Sequence, residues 1–151
     1  MQGVMTELAY PESARRSQSA YSLLIVDDEP DLLSEVSSYL RRRGLTVIEA
    51  TSFAEAIRSY SDNANSIALV LTDVNLPDGN GLDLVHFVTQ RSCRACPCLL
   101  MTAHFETGGL SPDLRAAGVR IIDKPFGLAV LYALIVGSLA TAGCTETPYA
   151  P

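Results

Sequence analysis

The chain has 151 residues, 48% of them hydrophobic and 19% charged, enough for one domain with its own core. Eleven Lys and Arg against seventeen Asp and Glu give a net charge of −6, which argues against the clustered cationic surface of a DNA-binding protein. Residues 1–20 have no continuous apolar run and read as a flexible tail, neither a secretory signal nor a membrane span, so the default compartment is the cytoplasm.

In chain order, "SLLIVD" (22–27) reads as a buried strand, followed by a helix over "PDLLSEVSSYLRRRG". There Leu32, Leu33, Val36, Tyr39 and Leu40 recur at helical spacing. Pro30 suits the first turn and Gly44 the position past the last, with Arg41, Arg42 and Arg43 at the negative end of the helix. "LTVIEA" (45–50) is a second strand. "SFAEAIRSYSD" (52–62) is a helix with Ser52 and Glu55 at capping-box spacing. "SIALVLTD" (66–73) is apolar enough to be covered on both faces. A helix over 81–91, strands at 98–103 and 119–123, and a helix from Phe126 to about Ala140 complete the pattern.

Strands alternating with helices specify a doubly wound α/β fold, because parallel strands require crossover connections that lay helices over the sheet. Such sheets bind ligands beyond the carboxyl ends of their strands. The residues there are Asp27 and Asp28, Asp73, Thr102 and Lys124. Neighbouring strands lie roughly 4.8 Å apart. Two carboxylates at about that distance repel by roughly 3 kcal/mol at an effective dielectric near 20. Three of them call for a cation, and hard oxygen ligands suit Mg²⁺.

The segments "LLIVDDEPDL", "LVLTDVNLPDGNGLDL", "LLMTAH" and "IIDKPF", in this order and spacing, closely resemble the receiver domain of two-component response regulators, over about Tyr21 to Ala140. The resemblance implies a flavodoxin-like strand order 2-1-3-4-5. It also implies that Asp73 accepts a phosphoryl group from the phosphohistidine of a sensor histidine kinase. Asp28 then resembles the direct Mg²⁺ ligand, Asp27 the one acting through water, and the backbone carbonyl of Asn75 the remaining protein ligand. Thr102 matches the hydroxyl, and Lys124 the ammonium, that respond to the phosphoryl group. The Lys124-Pro125 bond is one that is often cis in this family. Such a domain is a signalling module that catalyses only its own phosphoryl transfer and dephosphorylation.

Other acids and thiols read more simply. Glu29 starts a helix, and Asp78 in "LPDG" is a turn residue. His86 and His104 lack the neighbours of a metal site, although His104 lies close enough to Thr102 to edge the pocket. The Cys93, Cys96 and Cys98 cluster reads as small thiols in a helix-to-strand loop. "TAGC" near the end mimics a lipidation site but lies at the wrong end of the chain and is discounted.

Three features depart from the family pattern. Ile121 occupies the position of the usual aromatic switch. Gly108, Gly109 and Pro112 predict an irregular fourth helix, at most a short one from about Ser111. The last helix carries no charge from Gly127 to Cys144, which predicts burial of its outer face in a homodimer, a surface this family commonly uses. With residues 141–151 as a short tail, the expectation is a stand-alone receiver domain over 21–140. It would signal through a downstream effector or relay phosphate to a histidine phosphotransfer protein. The alternative is a phosphatase or phosphotransferase forming an aspartyl phosphate on a related α/β fold. That class typically carries D-x-D at one strand end, whereas Asn75 stands two positions after Asp73.

Overall fold

In a computed structural model the described residues are 21–91, 96–103 and 110–142. The tail at 1–20, Cys93, His104, Gly108, Gly109 and all but the first two residues of the 141–151 tail lie outside them. The elements are β1 (Ser22–Val26), α1 (Pro30–Arg42), β2 (Thr46–Ala50), α2 (Phe53–Asn63), β3 (Ile67–Asp73), β4 (Asn75–Leu76), β5 (Gly79–Asn80), α3 (Gly81–Arg91), β6 (Cys98–Thr102), α4 (Pro112–Ala116), β7 (Arg120–Asp123) and α5 (Leu128–Thr141).

Five strands form one sheet in the order β2-β1-β3-β6-β7, with every pairing parallel. This is the doubly wound, flavodoxin-like order that the resemblance implies. Side chains alternate between two apolar layers, as a sheet covered on both faces requires. Leu24, Val26, Val70, Cys98 and Leu100 belong to one cluster, with Tyr60, Leu84 and Val88 of α2 and α3. Leu23, Ile25, Leu69, Leu71, Leu99 and Met101 belong to the other, with Leu33, Val36 and Leu40 of α1 and Leu131 and Ile135 of α5.

The helix boundaries follow local chemistry. Pro30 opens α1, and Gly44 beyond its end takes a left-handed φ of 87°. In α2 the Glu55 amide donates to Ser52 Oγ at 3.1 Å, while the Glu55 carboxylate reaches the Thr51 amide instead of that of Ser52, a capping box displaced by one residue. The fourth helix is short, with Ser111 as its N-cap and Pro112 in its first turn. The fifth starts at Leu128, two residues later than the periodicity predicts, because Gly127 holds an extended N-cap conformation. Arg43 stacks over Tyr39 and Tyr132, 4.9 and 5.1 Å from the ring centroids, and ties α1 to α5. Cys96 and Cys98 are buried thiols, and burial pushes the Cys98 thiol well above its ordinary value, so it holds its proton. His86 is exposed on α3. Among the described residues no helix is long and apolar enough to cross a membrane.

Candidate functional site

Because the five strands are parallel, their carboxyl ends share one rim, and the polar residues that end them meet there. Asp27 follows β1, its amide still paired with the Ala50 carbonyl of β2 at 3.1 Å. Asp73 is the last residue of β3, opposite Met101 of β6. Thr102 ends β6 and is buried. Lys124 comes one residue after β7, its amide donating to the Thr102 carbonyl at 2.7 Å, and the bond to Pro125 is cis.

The acids that follow β1 and end β3 converge on the Lys124 ammonium. Its Nζ donates to Asp73 Oδ2 at 3.1 Å and to Asp27 Oδ2 at 3.2 Å, with Glu29 Oε1 at 3.6 Å. Asp27 is 1% exposed, and its other oxygen accepts the Glu29 amide at 2.8 Å. Asp73 Oδ1 accepts a longer bond from the Asn75 amide, 3.4 Å. Burial pushes the Asp27 carboxyl above its usual range, against the opposing pull of the Glu29 amide and Lys124. For Lys124, burial alone would lower the ammonium's pKa, but the hydrogen bonds to Asp73 and Asp27 outweigh it and raise it above the ordinary lysine value.

Oxygens of Asp27, Glu29 and Asp73 lie within 4.8 Å of one another. Three carboxylates against one ammonium leave a double negative charge, which a divalent cation would match, and an all-oxygen donor set suits a hard ion. Asp28 is exposed beside this group. Glu29, which the sequence reads as a helix start, does occupy the N-cap of α1 without a side-chain cap, and its carboxylate turns to Lys124 instead. The run of three acids was the available signal. Ile121, which the resemblance sets at the aromatic-switch position, is half-buried and packs against the core.

The loop that carries Asp73 returns on itself. Strands β4 and β5 pair antiparallel across a Pro77-Asp78 turn, and the Gly81 amide donates to the Val74 carbonyl at 2.7 Å. Gly81 packs directly on the Asp73 carbonyl: a Cβ there would meet its oxygen at 2.1 Å. Only glycine allows this approach.

Residues 23–136 match the family model described as "Response regulator receiver domain". The chain belongs to that family. Among curated proteins it is 34% identical over 121 residues to the response regulator protein PilR of Pseudomonas aeruginosa, covering 80% of this chain and 26% of that protein. To the transcriptional regulatory protein PrrA of Mycobacterium tuberculosis it is 32% identical, covering 83% and 52%. This receiver domain thus spans between about a quarter and a half of the length of these relatives. Among solved structures, the non-phosphorylated HemR receiver domain of Leptospira biflexa aligns with a TM-score of 0.67 at 28% identity, covering 80% of this chain and 94% of that one. A receiver domain protein of Clostridium thermocellum aligns with a TM-score of 0.73 at 22% identity, covering 82% and 98%, a likeness of fold.

Proposed function

We propose that the domain accepts a phosphoryl group on Asp73 from the phosphohistidine of a sensor histidine kinase and signals, in the cytoplasm, through contacts that depend on that group. The observation that carries this reading is Lys124, which directly follows β7 and joins Asp27, just after β1, and Asp73, the last residue of β3, within 3.2 Å. An Asp73 carboxylate oxygen attacks phosphorus; the O–P bond forms as the P–N bond breaks, and the kinase imidazole leaves. The Lys124 ammonium, already aimed at Asp73, pairs with a phosphoryl oxygen, and the Thr102 hydroxyl turns to donate to another. Phosphoryl transfer asks little more of a protein than such positioning and charge compensation.

Asp28, Asp73 and the Asn75 carbonyl would hold a Mg²⁺ ion, with Asp27 acting through water and Glu29 an additional oxygen at the same rim. Bound there, the ion supplies positive charge against the phosphoryl oxygens. The incoming phosphoryl group brings roughly −1.5 to −2 charges, which Thr102 and Lys124 answer. Their backbones are hydrogen-bonded to each other, so the response of one reaches the other. The signal then passes to an effector, or the phosphoryl group to a histidine phosphotransfer protein.

With Mg²⁺ and acetyl phosphate, the wild type should take up at most one hydroxylamine-releasable phosphoryl group per chain, and Asp73→Asn none. Continuous release of phosphate from phosphate monoesters would instead establish the rival phosphatase.

The uncharged fifth helix supports pairing of two copies. Val130 is 62% exposed on its outer face, where Ala133, Gly137 and Ala140 are also exposed. Sedimentation at micromolar concentration should show a dimer, with or without phosphorylation. A monomer in both states would refute the pairing.

A further inference from the structure

Asp78 belongs to the turn of the β4–β5 hairpin, yet its carboxylate faces a different element. Oδ1 accepts the Phe53 amide at 2.7 Å and Oδ2 the Ala54 amide at 2.9 Å, across 25 and 24 residues of chain. These are the first two orphan donors of α2. The third, of Glu55, goes to Ser52 Oγ, and the next, of Ala56, to the Ser52 carbonyl. The α2 N-terminus is therefore satisfied jointly by its own serine and by the loop that carries Asp73. The two amide bonds hold the Asp78 carboxyl below its usual range.

A second contact ties the same two elements. Gly79 lies against the Phe53 side chain so closely that a Cβ would meet the ring carbon Cγ at 2.7 Å. On its other side the hairpin is anchored by buried Leu76. Through the pairings Asn75 with Asn80 and Leu76 with Gly79, a turn fixed at Asp78 is fixed at Asn75, two residues from Asp73. A turn serving only to reverse the chain needs neither a carboxylate directed at another helix nor a ring packed on its glycine.

We propose that Asp78 is a positioning residue for phosphoryl acceptance: by clamping the hairpin turn to the first turn of α2, it holds Asn75 and the Asp73 loop in register with the acidic rim. This rests on the reading of Asp73 and magnesium above. The clamp works through geometry, without contact to the reacting atoms.

The test compares Asp78→Ala with Ser52→Ala, which weakens the same helix start but leaves the loop untouched. Two readouts are needed. One is the Mg²⁺ concentration that half-saturates labelling by acetyl phosphate; the other is hydrogen exchange at the Gly81 amide in metal-free protein. Asp78→Ala should raise the half-saturating Mg²⁺ at least about fivefold and speed Gly81 exchange about tenfold, a modest fraction of what misplacing a reacting group costs. Ser52→Ala should lower the melting temperature while leaving both at wild-type values. Asp78→Asn, which keeps one acceptor oxygen, should fall between Asp78→Ala and wild type. Wild-type values in Asp78→Ala, or equal changes in Ser52→Ala, would overturn the clamp. A wild type that takes no label would refute phosphoryl acceptance itself, and the metal-free exchange then decides the clamp alone.

Discussion

Gly81→Ala should destabilise the protein by about 2–3 kcal/mol, the range of an overpacked interior, and slow labelling of Asp73 at least about tenfold. The added methyl carbon would fall 2.1 Å from the Asp73 carbonyl oxygen, 3.0 Å from its carbon and 3.1 Å from Val74 Cα. All three are backbone atoms, so no side chain can swing aside. Either Asp73 or the start of α3 has to move, and the hydrogen bond from the Gly81 amide to the Val74 carbonyl moves with it. Urea unfolding gives the first quantity. Labelling by acetyl phosphate, at a temperature where the variant is folded, gives the second. A variant with wild-type stability and wild-type labelling would show that the loop is not held by this contact.

Lys124→Met should cost about 2–4 kcal/mol at pH 7 in the absence of magnesium, somewhat less than removing one partner of a fully buried ion pair, since the lysine side chain is 16% exposed. Methionine keeps the apolar stem and removes the charge that joins Asp27 to Asp73. The remaining carboxylates then repel one another, and the Asp27 carboxyl, already raised by burial, rises further. A carboxyl raised in the folded state binds its proton more tightly there than in the unfolded chain. Its stabilising contribution is fully present below the ordinary value of 3.8 and is lost as pH rises through the folded value. The deficit of Lys124→Met should therefore be small near pH 4 and grow toward neutrality, and added Mg²⁺ should recover part of it at pH 7. Unfolding curves over that pH range check the sign; a deficit independent of both pH and magnesium would mean the lysine serves only packing.

Most of the fold was legible because both faces of this sheet are covered: β1, β3 and β6 stand out as short apolar runs, and their ends, with that of β7, put Asp27, Asp73, Thr102 and Lys124 on one rim. The hairpin was not legible. Its strands are two residues each, and neither "NL" nor "GN" carries an apolar period. Asp78 and Gly81 looked like ordinary turn and helix-start residues because their partners, Phe53 and Asp73, are chosen by tertiary packing. Glu29 shows the same limit at closer range. Its place at the start of α1 was plain from the sequence, but the direction of its carboxylate depends on Lys124, 95 positions later in the chain. The apolar outer face of α5, by contrast, was visible as an uncharged stretch and is exposed in the fold at Val130.

The proposed phosphoryl acceptor is Asp73 and no other acid at this rim. After labelling with acetyl phosphate and Mg²⁺, borohydride reduction converts an aspartyl phosphate to a stable alcohol that peptide mass spectrometry can locate. The reduced residue should be found at position 73 in the wild type and nowhere in Asp73→Asn. Reduction at Asp27, Asp28 or Glu29, or hydroxylamine-sensitive label persisting in Asp73→Asn, would contradict it.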